Sequence, residues 1–309
     1  MTREEYLTEA MEQISDRYIA EAALRGRAPA GSRPRYRRAA AVLAACACIV
    51  LVIGLAAGSL GLWGAGEGGS GGSGITVSED GVTIPPLSVD GEQGVANMVL
   101  FVIYQGGIYS QYEELPAELK GEYLDTSAGG IDEWTPQSEY GELTGSAAGK
   151  LYAVQGYDTG FMVGLEMENG SLMGLIRNNG ITLKEGRELF EDRLRLNGRF
   201  TQVTWQSRED WYNGTGGEQV FTEVHQEALE RFVTALCEAE FMRSEDIPLP
   251  DGADNIYDSL EVCHLFFRLE DGLTVHLRCF AGGYVSFAGI RGVCVQIPED
   301  IFAAVCEAF

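Results

Sequence analysis

The sequence predicts an α+β protein: one N-terminal amphipathic helix, one transmembrane helix, then a mostly antiparallel β-sheet domain with two or three packing helices. Three observations predict it. No charged residue occurs between Arg38 and Glu67, and residues 39–63 are almost wholly apolar. A Gly/Ser-rich tract follows at 64–74. Beyond it, short alternating segments broken by glycine turns dominate, with only a few stretches of helical period.

The N-terminal helix is expected over 1–24. Thr2 and Glu5 have capping-box spacing, and Leu7, Met11, Ile14, Tyr18 and Ala22 recur at three- and four-residue steps. One apolar stripe on a charged helix needs a surface to lie on, because so short a helix is marginal alone in water. A cytoplasmic protein partner, a second copy or a plain anchor extension would each serve. Its glutamates argue against an anionic lipid surface.

Residues 25–38 form a basic segment with Arg25, Arg27, Arg33, Arg35, Arg37 and Arg38. The apolar run 39–63 is long enough to cross a bilayer. With positive charge on its N-terminal side, the expected localisation is the cell membrane, N-terminus cytoplasmic and C-terminal domain extracytoplasmic. A cleaved signal peptide fits less well, since its basic region would be 38 residues long. Gly54, Gly58 and Gly61 offer a close-packing face for a homodimer.

The linker, 64–80, has a flexible part spanning roughly 18 Å as a random coil. The domain at 81–309 has a possible sub-boundary near 198. Strands are expected at 98–104 and 107–112 around Gln105-Gly106, at 150–157, and at 161–167 and 171–176 around Glu168-Asn169-Gly170. A short helix is expected at 185–194 and a half-buried strand at 200–207. Residues 222–241 should form the main helix, with Leu229, Phe232, Val233, Leu236 and Cys237 inward. Cys263, Leu265, Phe267 and Leu269 alternate, as do Leu273, Val275, Leu277 and Cys279. For these sets to share one face, 263 and 279 must be in register across the loop Glu270-Asp271-Gly272. Strands at 284–287 and 293–297 and a helix after Pro298 complete the domain.

Charge divides the chain. The whole has a formal net charge of −24, and residues 39–309 hold 40 of the 46 acidic groups but 14 of the 22 basic ones. A domain so acidic will not bind nucleic acid by neutralising phosphates.

The search for chemistry yields little. Cys263 and Cys279 are a possible disulfide, and the alternative is that all five cysteines beyond the apolar run are small buried residues. His264 and His276 share the other face of the hairpin diagonally, near Arg268 and Arg278. The neighbouring guanidinium groups would repel a metal ion, so this face reads as an exposed polar one. Asp132-Glu133-Trp134 could serve a glycosidase. There is no HExxH, nucleophile elbow or P-loop, and no calcium-loop spacing. No catalytic residue, cofactor or metal is assigned.

The N-terminal residues Glu4-Glu5-Tyr6-Leu7, Glu9-Ala10-Met11, Ile14, Asp16, Tyr18-Ile19 and Glu21-Ala22 carry a resemblance. With the basic patch and apolar run, they resemble single-span membrane proteins of clostridial-type Firmicutes often called anti-sigma-factor-like. The resemblance implies a sigma factor as cytoplasmic partner. The zinc-binding variant is excluded, because no His or Cys precedes Cys46. Val102–Gly106, Gly130–Trp134, Val154–Asp158, Asn179–Leu183 and Leu189–Leu194 resemble uncharacterised extracytoplasmic domains of the same bacteria, which imply no catalytic roles. The reading is a single-pass protein with an extracytoplasmic sensing or binding domain and a cytoplasmic interaction helix. The alternatives are a tethered wall enzyme and a structural surface module.

Overall fold

The computed structural model describes residues 74–86, 100–132, 135–253 and 255–306, all within one compact unit. They form three antiparallel sheets. A small sheet joins β1 (Thr76–Ser78), β2 (Gly81–Ile84) and β9 (Ile181–Leu183). The second comprises β3 (Phe101–Tyr104), β4 (Gly107–Leu115), β5 (Lys120–Ala128), β6 (Ala148–Val154), β7 (Met162–Glu166) and β8 (Leu172–Arg177), in spatial order β3-β4-β8-β7-β6-β5. The third contains β10 (Phe200–Ser207), β11 (Gln219–Val220), β12 (Phe241–Arg243), β13 (Glu261–Leu269), β14 (Thr274–Phe280), β15 (Tyr284–Phe287) and β16 (Val293–Gln296). Its order is β11-β10-β13-β14-β15-β16-β12. The helices are α1 (Arg187–Phe190), α2 (Arg208–Asn213), α3 (Gln226–Glu238), α4 (Ile256–Ser259) and α5 (Glu299–Cys306).

The expected fold class needs one correction. The antiparallel sheet domain is present, but among the described residues no helix is long and apolar enough to cross a membrane. The transmembrane helix of the expected architecture is therefore not seen. Several sequence readings lie outside the described residues: the helix 1–24 with Leu7, Met11, Ile14 and Tyr18, the basic segment 25–38, the run 39–63 with Gly54, Gly58 and Gly61, and linker residues 64–73.

Turn chemistry sets the hairpins. Gln105 and Gly106 both have positive φ (49° and 67°), which gives the two-residue turn that matches strand twist. In the loop 270–272, Gly272 N–H donates to Leu269 O and Leu269 N–H to Leu273 O, with Gly272 at φ 89°. That three-residue loop puts Cys263 opposite Cys279, Leu265 opposite Leu277 and Phe267 opposite Val275.

Helices are shorter than their periodicity suggests. The pattern at 222–241 becomes a 3-10 turn at Glu223–His225 followed by α3, which stops at Glu238 because Ala239 turns extended and Phe241 opens β12. The expected helix at 185–194 is only the single turn α1.

One apolar core runs through all three sheets. It joins Val82 and Ile84, Met162 and Ile176, and Leu265, Phe267 and Leu277, with Phe232 and Leu236 of α3 and Phe302 and Val305 of α5. Phe232 stacks on Phe267 at a 6.4 Å centroid distance. β1–β9 precede Gly198 and β10–β16 follow it; this core runs across that point.

A side-chain clasp also joins the two large sheets. β15 reaches β14 only as far as Leu277; just past it Ala288 N–H donates to His276 O, while Thr274 and the His276 N–H have no partner strand on that side. Tyr112 and Glu113, where the register of β4 shifts between Gln111 and Glu114, take its place. Tyr112 Oη donates to Thr274 O (2.6 Å) and accepts from His276 N–H (3.0 Å), and Glu113 Oε1 accepts from Thr274 N–H (2.5 Å). Burial pushes the Glu113 carboxyl up to about 7, although the Thr274 hydrogen bonds oppose that rise.

Candidate functional site

The densest group of chemistry-bearing side chains lies on β13 and β14, on the sheet face that α3 and α5 do not cover. Strand alternation places His264, Phe266, His276 and Arg278 there. Glu261 joins them because the register shifts between Glu261 and Cys263, so that Glu261 pairs with Phe280 while Cys263 pairs with Cys279. A bulge of this kind re-aims a side chain. Without it Glu261 would share a face with the thiols.

The expected exposure of this face is corrected. His264 is 0% exposed and Phe266 is 9% exposed. The cover is α2, which sequence reasoning missed. Ser207 caps it by accepting from Asp210 N–H (3.1 Å), Glu209 and Asp210 occupy its first turn, and Gly214 closes it in the left-handed conformation at φ 59°. Ser-x-x-Asp followed by glycine was the available signal. The helix lays Trp211 over the histidines, 4.7 Å from the His264 ring centroid and 5.0 Å from that of His276. Phe266 stacks on His276 at 4.6 Å.

The polar groups beneath Trp211 are satisfied mainly by one another. His264 Nδ1 and His276 Nε2 share one hydrogen bond of 2.9 Å, so one ring donates and the other accepts. Arg278 Nε donates to Glu261 Oε1 at 2.6 Å and its Nη2 to Tyr212 Oη at 2.9 Å, while its guanidinium lies 4.3 Å from the Tyr257 ring centroid. Glu261 Oε2 and His264 Nε2 have no hydrogen-bond partner. Burial, then the fields of His276, Arg278 and Arg208, holds His264 down to about 2. Burial and Arg278 hold His276 down to about 3. Both rings are therefore neutral near pH 7, and the ion pair Glu261–Arg278 is the charged element of the site. A cleft of about 30 Å³ opens beside Arg278, between Tyr257, Ser244, Ser286 and Arg291; that is room for about one water.

On the opposite face of the same hairpin, Cys263 and Cys279 stand in the register expected for a cross-strand pair. Both are free thiols. Cys306, at the end of α5, joins them, and the three sulfurs lie within 4.8 Å of one another. The sequence counted Cys306 among five cysteines that could be small buried residues but could not say which strands it meets.

The remaining sequence candidates stay apart. The Asp132 carboxylate accepts from Thr135 Oγ1 at 2.8 Å in a local turn, and its proposed companions Glu133 and Trp134 lie outside the described residues. His225 faces Thr222, 3.1 Å from its hydroxyl at the start of α3. Arg268 is exposed and takes no part in the histidine cluster. Family models, curated proteins and solved structures give no match to this chain.

Proposed function

We propose that residues 74–309 form a non-catalytic sensing or binding domain, carried by a membrane-attached chain whose N-terminal segment contacts a cytoplasmic protein. The observation that carries this reading is the closure of the histidine face. The side chains best suited to acid–base work, His264, His276 and Glu261, lie under Trp211 and Tyr212; the two histidines hydrogen-bond each other and Glu261 is held by Arg278. A general base must reach a substrate proton within hydrogen-bond distance, and these groups are enclosed. The sequence supplies the rest: an acidic domain on a glycine-rich linker, a basic segment beside an apolar run, and one apolar helical stripe. The anti-sigma-factor-like resemblance makes a sigma factor the first partner to test.

The test is cross-linked capture of the full-length chain from membranes, with a Leu7→Asp/Met11→Asp double variant in parallel. The expected result is one cytoplasmic protein captured by the native chain and lost by the variant, with expression and domain stability unchanged. Identical captured proteins from both chains would refute the N-terminal contact.

A further inference from the structure

Three of the five described cysteines converge, and this is independent of the sensing role argued above. Cys263 comes from β13, Cys279 from β14 and Cys306 from α5, with exposures of 2%, 0% and 3%. Their sulfurs lie within 4.8 Å of one another. Their neighbours on that face are apolar: Leu265 and Leu277 along the strands, Val285 beside Cys279, and Phe302 and Val305 on the helix. Among the described residues, no histidine or carboxylate completes the set.

The other two described cysteines lie on different elements, Cys237 on α3 and Cys294 on β16, and take no part in the cluster.

Ligand type and number then select an occupant. Sulfur-only donors favour soft ions. Three donors without a fourth disfavour tetrahedral zinc. A planar three-coordinate ion with metal–sulfur bonds of about 2.3 Å needs sulfurs about 4 Å apart, a contraction of less than an ångström from the limit seen here.

We propose that Cys263, Cys279 and Cys306 form a binding site for one Cu(I) ion, which fixes α5 to the sheet when bound. Each sulfur that bonds the ion gives up its proton to solvent as the ion enters, and no electron is transferred. The ion enters by local undocking of α5, a helix of eight residues.

The test uses the full-length reduced chain without oxygen, loaded with one equivalent of Cu(I) and challenged with bicinchoninate. The readouts are retained copper and near-ultraviolet sulfur-to-copper absorption. The expected result is one copper per native chain, at least tenfold weaker retention in Cys306→Ala and Cys306→Ser, and unchanged retention in Cys294→Ser. Melting of each metal-free variant separates lost ligation from lost folding: a variant that melts like the native chain but loses copper supports the site. Three results would overturn it: no copper held against the chelator, equal retention by the Cys306 and Cys294 variants, or zinc held as strongly as copper.

Discussion

The two faces of the β13–β14 hairpin are built from alternate residues of the same strands, yet they are stabilised in different ways. One face presents Cys263, Leu265, Phe267, Leu277 and Cys279 to α3 and α5 and gains from apolar burial alone. The other presents His264, Phe266, His276 and Arg278 to α2 and depends on a few hydrogen bonds made within the buried cluster. The first tolerates small volume changes at moderate cost. The second holds an ion pair and two neutral imidazoles out of water, so losing one member strands the others. A buried polar face on a sheet is thus a sign of a cover brought from elsewhere, here Trp211 and Tyr212.

The largest effects should come from breaking each face at its centre. Arg278→Ala leaves the Glu261 carboxyl without its ion-pair partner in the interior and is expected to cost about 3–5 kcal/mol in urea unfolding. Arg278→Met with Glu261→Gln should recover most of that loss, which a purely steric role for Arg278 would not allow. On the apolar face, Phe267→Ala removes the ring under Phe232 and should cost about 3–5 kcal/mol, independent of pH between 5 and 8.

The pH dependence separates the faces more finely. A histidine held neutral in the native state but free to take a proton when unfolded makes stability fall as pH drops below about 6.5, by about 1.4 kcal/mol per pH unit for each ring. With folded values of about 2 and 3, this slope persists to about pH 3. Glu113 has the opposite sign: its carboxyl, raised to about 7 in the native state, lends stability that is lost as pH rises from about 4.5 to 7. These three groups therefore give a net slope of about 1.4 kcal/mol per unit between pH 6 and 4.5, steepening to about 2.7 below that. Glu113→Gln should steepen the upper part, and His264→Phe should flatten the whole acid limb. Chemical unfolding at fixed pH values measures both, and an acid limb unchanged by His264→Phe would remove the neutral-histidine account.

The smallest effect is expected at the cover. Trp211 is 42% exposed, so Trp211→Ala should cost about 1–2 kcal/mol by loss of partial burial. Wetting His264 should also move its titration upward toward the ordinary range. Proton NMR of the imidazole C–H signals reads that shift directly.

The hairpin itself was legible because two independent signals agree. Odd-numbered apolar residues fix the face, and Gly272 fixes the loop, so the pairing of Cys263 with Cys279 follows from strand period and turn chemistry together. Strand β10 was legible for the same reason, from the alternation of 200–207. The histidine face was not. Its cover lies about fifty residues upstream in a six-residue helix with no residue fully buried, too short to show helical period. Glu261 was hidden by a bulge, which reverses the side that alternation assigns. The third thiol depended on where a terminal helix lands, a matter of long-range packing. Helix ends were misplaced where strands begin immediately, as at Ala239–Phe241, because propensity yields there to sheet pairing.

The clasp of Tyr112 and Glu113 on β14 has a consequence for crowded conditions. A strand whose neighbour stops early offers free N–H and C=O groups as a template on which another chain can add. Around Thr274 and His276 that template is filled by a phenol and a carboxyl from the second sheet, with Ala288 N–H taking the His276 carbonyl. Groups more than 160 positions away in the chain thereby shield the most central hairpin of the fold from recruitment into intermolecular sheet.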